Sequence, residues 1–167
     1  ITANVTSATK AIDLVQFLDN DDELIKPAFD VLCVQELMTS PVQAAAFRSK
    51  CAQAKFHAVL SPSNETSKGG KSAGVAIMSR WQGSLDEYVP PAELHLPPGR
   101  VVLAFWPGVL PGGITIISVY MVAGIGLACE NLAILRHLEA VLRSVRVPFV
   151  VAGDFNASPA ELVDHGI

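Results

Sequence analysis

An α/β sandwich is the fold this sequence predicts. Strand-like and helix-like patterns alternate along the chain, and the strands outnumber the helices. No internal repeat, heptad or low-complexity tail points to a solenoid or a coiled coil.

Thr2 to Thr6 is short and β-prone. Thr9 is placed to cap a helix running to about Ile25, with Ile12, Val15, Phe17 and Leu18 as its apolar positions. The acidic run Asp19 to Glu23 marks its exposed end, and Pro27 breaks the pattern. Phe29 to Val34 is an apolar strand interrupted only by Asp30. Ser40-Pro41 starts the next helix, Val42 to Ala54, with serine as cap and proline in the first turn. Phe56 to Leu60 is a strand, and Ser61 to Ser72 reads as a polar, flexible loop. Ala73 to Met78 is a strand, followed by a proline-rich, mostly irregular stretch from Trp81 to Gly99 with room for one exposed strand. Arg100 to Phe105 and Ile114 to Tyr120 are strands joined by a proline- and glycine-rich turn. Leu127 to Val145 is the clearest helix, with Leu132, Leu135, Leu138 and Leu142 on one side. Phe149 to Ala152 is the last strand, and Ser158-Pro159 opens a helix that Gly166 ends.

A length of 167 residues suits one domain with a sizeable core, spanning 1–167. The net charge of -4 is mild and argues against tight nonspecific nucleic-acid binding, although a bound cation would change that sum. The 3 cysteines make no disulfide scaffold and no thiolate metal site. Cys33 and Cys129 lie in apolar patterns and read as small core residues in a reducing compartment. Ile1 to Lys10 lacks the charged start and apolar stretch of a signal peptide. The expectation is an intracellular protein, with the nucleus as one candidate compartment. The missing initial methionine reads as a cut or processed chain. The longest apolar stretch, Ile114 to Leu127, is too short for a membrane span.

The most informative run is Val150-Val151-Ala152-Gly153-Asp154-Phe155-Asn156. It is a buried strand that delivers an acid and an amide at its carboxyl end. Strand alternation would put Asp154 and Asn156 on one side and Phe155 on the other. Gln35-Glu36 follows another apolar run, and Asn4 follows the very first strand. All three place an oxygen ligand where a strand stops, as a Mg²⁺-dependent phosphoester hydrolase requires. Each has a plainer reading. Asp154 and Asn156 make an ordinary Asx turn with Asn156 or Ser158 capping the next helix. Glu36 alone would be a loop carboxylate, and Asn4 alone carries no signal. The weight lies in three such endings within one interleaved chain.

Taken in order, Asn4-Val5-Thr6-Ser7, Val34-Gln35-Glu36, Ser72-Ala73-Gly74-Val75-Ala76-Ile77, Ser118-Val119-Tyr120 and Gly153-Asp154-Phe155-Asn156 resemble the motifs of the endonuclease/exonuclease/phosphatase superfamily. Asn131 and Pro148-Phe149-Val150-Val151 most resemble the endonuclease domain of a non-LTR retrotransposon. The resemblance implies a two-sheet, DNase I-like α/β sandwich that hydrolyses phosphodiester bonds with Mg²⁺, or Mn²⁺ in its place. It implies Glu36 as the main metal ligand with Asn4 beside it. Asp154 would orient or deprotonate the attacking water, Asn156 would contact the scissile phosphate, and Tyr120 would hydrogen-bond the phosphate or help the leaving group. DNA is the implied partner. A phosphatase for a phosphoinositide or other small phosphoester is the alternative, and a non-catalytic binding domain on the same fold is a third reading.

Two departures stand out. Met121-Val122-Ala123-Gly124 replaces the proline and asparagine that many DNA-cleaving members carry after the tyrosine. The family also continues past Asn156 with further strands, a distal aspartate and a terminal Ser-Asp-His run. Asp164-His165 follows too closely, on a helix, to be that run. The expectation is therefore a domain lacking its C-terminal strands, with little hydrolytic activity by itself and an open last strand that a missing segment or partner covers.

Other features carry less. Ser67-Lys68-Gly69-Gly70-Lys71-Ser72 lacks P-loop spacing and precedes a strand, so a nucleoside triphosphate site is rejected. Lys68 and Lys71 could touch a nucleic-acid backbone or belong to a plain basic loop. Arg100 either pairs with a core carboxylate or faces solvent. His57, His95 and His137 show no ligand spacing, and Trp81 and Trp106 read as packing residues.

Overall fold

The computed structural model describes residues 1–19, 30–65, 70–80, 86–87 and 97–166. The elements in chain order are β1 (Thr2–Asn4), α1 (Ala8–Asp19), β2 (Val31–Gln35), α2 (Pro41–Gln53), β3 (His57–Ser61), β4 (Asn64–Glu65) and β5 (Lys71–Ser72). They continue with β6 (Val75–Ser79), β7 (Asp86–Glu87), β8 (Val101–Trp106), β9 (Ile114–Tyr120), α3 (Cys129–Ser144), β10 (Phe149–Asp154) and α4 (Pro159–Asp164). One sheet has the order β1-β2-β6-β3 and the other β10-β9-β8-β7; β4 and β5 pair separately. β1 runs parallel to β2, and β10 parallel to β9. The remaining neighbours are antiparallel.

Strand alternation builds the layers. Leu32, Val34, Ala76 and Met78 face α1 and α2, packing with Val15, Phe47 and Phe56. Cys33, Val75 and Ile77 face the other way, against Val102, Ala104, Trp106, Ile116 and Tyr120 of the second sheet. Leu103, Ile117 and Val119 then pack on Ile134, Leu135, Leu138 and Val141 of α3. Strands buried on both faces read as continuous apolar runs, which is why β2, β6, β8 and β9 were legible as strands. The order is helices, sheet, sheet, helix, so the expected two-sheet α/β sandwich is the observed one. β10 is the edge of the described second sheet, with Phe149 and Val150 each 48% exposed.

Several expectations need correction. Ser7, not Thr9, caps α1: its hydroxyl accepts from the Lys10 N–H at 3.2 Å, while Thr9 already lies inside the helix. The expected continuation of that helix to Ile25 falls outside the described residues, as do Lys68, Trp81 and His95. The loop Ser61 to Ser72 is not wholly irregular, because β4 and β5 pair within it. Cys129 is exposed at the start of α3, whereas Cys33 and Cys51 are buried. Burial pushes their thiols up to about 11 and about 12, so both stay protonated and inert.

The buried stripe of α3 is Asn131, Ile134, Leu135, Leu138 and Val141, with Leu132 and Leu142 only half-buried beside it. Asn131 is fully buried and acts as a pin. It donates to the Val122 and Gly126 carbonyls at 2.9 and 2.7 Å and accepts from the Val122 N–H at 2.7 Å. Asn131→Ala would orphan these backbone groups. It is expected to cost about 2–4 kcal/mol in urea unfolding. A loss well under about 1 kcal/mol would show that the loop after β9 holds its shape unaided.

Candidate active site

Two parallel pairings bring the site together. β1 and β2 end side by side, with Asn4 in register with Gln35, and Glu36 follows at once. β9 and β10 end side by side, with Asp154 in register with Tyr120. The two sheets stack so that these four carboxyl ends meet. The Tyr120 hydroxyl donates to Glu36 Oε1 at 2.7 Å, across 84 residues of sequence. The Asn4 amide donates to Asp154 Oδ2 at 3.3 Å, across 150 residues. Each bond joins one sheet to the other.

Glu36, the first residue after β2, is half-buried and has φ 56°; Asn156, two residues after β10, has φ 46°. Thr6, just beyond β1, has φ 57°. Left-handed backbone is unfavourable for residues with a Cβ and worst for a β-branched one, so these strand ends hold strain where the candidate groups sit. Asparagine tolerates it best.

Tyr120 is buried at 7% exposure. Burial, then the hydrogen bond to Glu36 and the charge of that carboxylate, push its phenol up to about 12, with Arg100 pulling the other way. At neutral pH the group is a proton-bearing donor and not a base. Beneath the site, Gln35 is 1% exposed and links the sheets: it donates to Ser118 Oγ at 3.0 Å and accepts from Thr2 Oγ1 at 3.0 Å. A buried amide satisfied on both ends fixes the spacing of β2 and β9, and hence of Glu36 and Tyr120.

Asp154 and Asn156 make the Asx turn that the plain reading expects: the Asn156 N–H donates to Asp154 Oδ1 at 3.1 Å. The Asn156 side chain donates to the Met121 carbonyl at 2.8 Å. Ser158 caps α4, accepting from the Glu161 N–H at 3.2 Å. That turn still delivers Asp154 to Asn4, so the structural and chemical readings of the motif coexist. Phe155 points into the α3 layer, as alternation predicts.

All five predicted residues therefore lie at one place. Asp164 and His165 do not join them, since they form the exposed end of α4 and His165 borders a groove with Leu132, Arg136 and Glu139 of α3. Lys71 donates to Gln43 Oε1 on α2. Among the described residues, no group of three or more His, Cys, Asp or Glu could cage a metal. The available donors are instead an amide and two carboxylates on converging strand ends. An all-oxygen set with few carboxylates suits Mg²⁺, which keeps most of its waters.

The sequence profile of the endonuclease/exonuclease/phosphatase family matches residues 1–166. The chain belongs to this family. None of the curated proteins matches it. Among solved structures, it is similar to the 3'-5' exonuclease NExo of Neisseria meningitidis, at 26% identity and TM-score 0.64, covering 95% of this chain and 57% of that one. A Neisseria NExo structure described as a 3' phosphatase bound to a product DNA hairpin matches at 26% identity and TM-score 0.62, with the same coverages of 95% and 57%. The AP endonuclease LMAP of Leishmania major matches in fold, at 20% identity and TM-score 0.56, covering 92% and 53%. The chain thus spans little more than half the length of these structures. The fold is that of the DNase I-like members of the family.

Three contributors were not assigned from sequence. Gln35 was quoted only as the neighbour of Glu36, Ser118 only as the neighbour of Tyr120, and Thr2 not as a site residue. The signal for the first two is a polar residue at an inward position of an apolar strand.

Proposed function

We propose that this chain supplies the catalytic face of a metal-dependent phosphodiesterase acting on DNA, most concretely an endonuclease. The observation that carries the reading is the convergence of Asn4, Glu36, Tyr120 and Asp154 through two inter-sheet hydrogen bonds. Enzymes of this family generally use divalent metal ions. Glu36 and Asn4 would hold Mg²⁺, with Mn²⁺ as the substitute, and the cation supplies charge neutralisation at the phosphate. Asp154, held by Asn4 and the Asn156 N–H, takes the proton of the attacking water. Tyr120 keeps its proton; its single hydrogen bond, made to Glu36 in the structure, would turn with substrate bound to a non-bridging oxygen, where negative charge develops, while the cation takes over Glu36. An amide nitrogen carries two hydrogens, so the Asn156 bond to Met121 leaves one for the phosphate. The finer assignment, to a retrotransposon-type endonuclease working in a DNA-containing compartment such as the nucleus, rests on Asn131 and Pro148-Phe149-Val150-Val151 alone.

A phosphatase is the second reading. It is favoured by the net charge of -4 and by the 3' phosphatase description of one similar structure. No helix among the described residues is long and apolar enough to cross a membrane.

The test is turnover of supercoiled plasmid, abasic duplex and soluble phosphomonoesters, with Mg²⁺ and with chelator, on the longest natural chain containing these residues. The expected result is Mg²⁺-dependent nicking that Asp154→Ala reduces by about a thousandfold. Nicking unaffected by chelator or by Asp154→Ala rejects the mechanism. Turnover of monoesters alone selects the phosphatase, and DNA binding without turnover selects a binding domain.

A further inference from the structure

Arg100 immediately precedes β8 and stands opposite Tyr120 on β9. The Tyr120 N–H donates to the Arg100 carbonyl at 2.8 Å, and the next pair in register is Val101 with Val119. Directly opposed residues of antiparallel strands project from one face. The guanidinium carbon lies 5.0 Å from the centroid of the Tyr120 ring, within the range of cation–π attraction. On its outer side, Nη2 is 3.7 Å from Glu130 Oε1. The arginine side chain is 12% exposed, and that of Glu130 61%. Burying a cation is costly unless something compensates, and the inner compensation here is the tyrosine ring.

The backbone that launches Arg100 is held in place. Its N–H donates to the Pro97 carbonyl at 3.1 Å. Gly99 before it has φ 70°, donates to Ser61 Oγ at 2.7 Å and accepts from the Gly74 N–H at 2.9 Å. A Cβ there would meet the Pro62 carbonyl oxygen at 2.7 Å. The turn is thus tied to the end of β3 and to the residue before β6, both of the first sheet, while the ring that Arg100 covers belongs to the second. The same ring carries the hydroxyl bonded to Glu36.

We propose that Arg100 is a positioning residue, whose guanidinium clamps the ring of Tyr120 so that its hydroxyl stays aimed at Glu36 and the reacting phosphate. The kinetic part of this inference rests on the hydrolase reading of the same site. Arg100 does not itself touch the phosphate; it acts through the phenol. Its loss therefore matters only while the hydroxyl is there to be positioned.

The experiment is a double-mutant cycle with Mg²⁺ on one phosphodiester substrate, using Arg100→Met, Tyr120→Phe, the double variant and Arg100→Lys. Methionine keeps the packing and removes the cation, and phenylalanine keeps the ring and removes the hydroxyl. Arg100→Met is expected to lower kcat about tenfold and to change KM by less than about twofold. The double variant should be no slower than Tyr120→Phe, and Arg100→Lys should recover most of the loss. Losses that multiply, a change confined to KM, or no recovery by lysine would overturn the proposal, because each indicates direct contact with substrate or a purely structural role.

A second readout needs no turnover. The chain has 2 tyrosines, so the ring signal of Tyr120 in a ¹³C-tyrosine spectrum is assigned by its loss in Tyr120→Phe. In Arg100→Met that signal should move and show faster ring flipping; an unchanged signal rejects the clamp. If Glu36→Ala leaves turnover intact, the hydrolase reading fails, and the ring signal still decides the role of Arg100.

Discussion

Glu36→Ala is expected to lower metal-dependent turnover by about three orders of magnitude or more while the protein stays folded. The carboxylate immediately follows β2, one residue past the Asn4–Gln35 pair, and receives the Tyr120 hydroxyl, so no neighbouring acid stands ready to replace it on that strand. Its backbone gives a second, independent measurement. Glu36 holds φ 56°, a conformation that strains any residue with a Cβ and suits glycine. Glu36→Gly should therefore unfold at a higher temperature than Glu36→Ala, by the equivalent of about 1 kcal/mol. Both variants should be equally inactive. Equal or reversed stabilities would mean that the backbone relaxes out of the left-handed region once the carboxylate is gone. Retained turnover in both would remove Glu36 from the chemistry.

Gly153→Ala should be the most damaging small substitution among the described residues. Gly153 pairs with Val119 where β10 runs beside β9. A Cβ there would overlap the Val119 carbonyl oxygen and stand 2.8 Å from its carbon and 2.9 Å from its nitrogen. These are backbone atoms of a buried strand and cannot rotate away. Relief requires β10 to move off β9, which breaks the ladder running from Phe149–Thr115 to Asp154–Tyr120. A destabilisation of at least about 3 kcal/mol in urea unfolding is expected, above the usual range for overpacking because the obstacle is main chain. Any folded remainder should also turn over slowly, since Asp154 is the next residue. A variant that unfolds within about 1 kcal/mol of the wild type would show that the strands are spaced more widely here.

A glycine inside a strand marks a turn or a close approach of another group, so this much is legible in the sequence. Which group approaches it is not, because that depends on which strand pairs with β10 and in what register. The same distinction runs through the site. Glu36, Asp154 and Asn156 stood out because each follows an apolar strand, and a polar residue at the end of a buried run is a local pattern. Tyr120 and Asn4 needed the ordered motifs to give them meaning. Arg100 was recognised as a charge at a strand start with two open fates; it meets a ring first and a surface carboxylate second. Asn131 was noted as a motif residue, and its work as a loop pin became visible only in three hydrogen bonds.

By itself, the sequence determined the alternation of strands and helices and the strand ends that carry the polar groups. These follow from the periodicity of apolar residues, which each segment carries within itself. The two-sheet form was implied only by the resemblance of the ordered motifs to a known family. Only the tertiary structure decided that Asn4 meets Asp154, that Tyr120 meets Glu36, and that Gln35 reaches Ser118 between the sheets. Such pairings join residues 83 to 150 positions apart. Their geometry is set by strand register and by the stacking of one sheet on the other, and no local period records either.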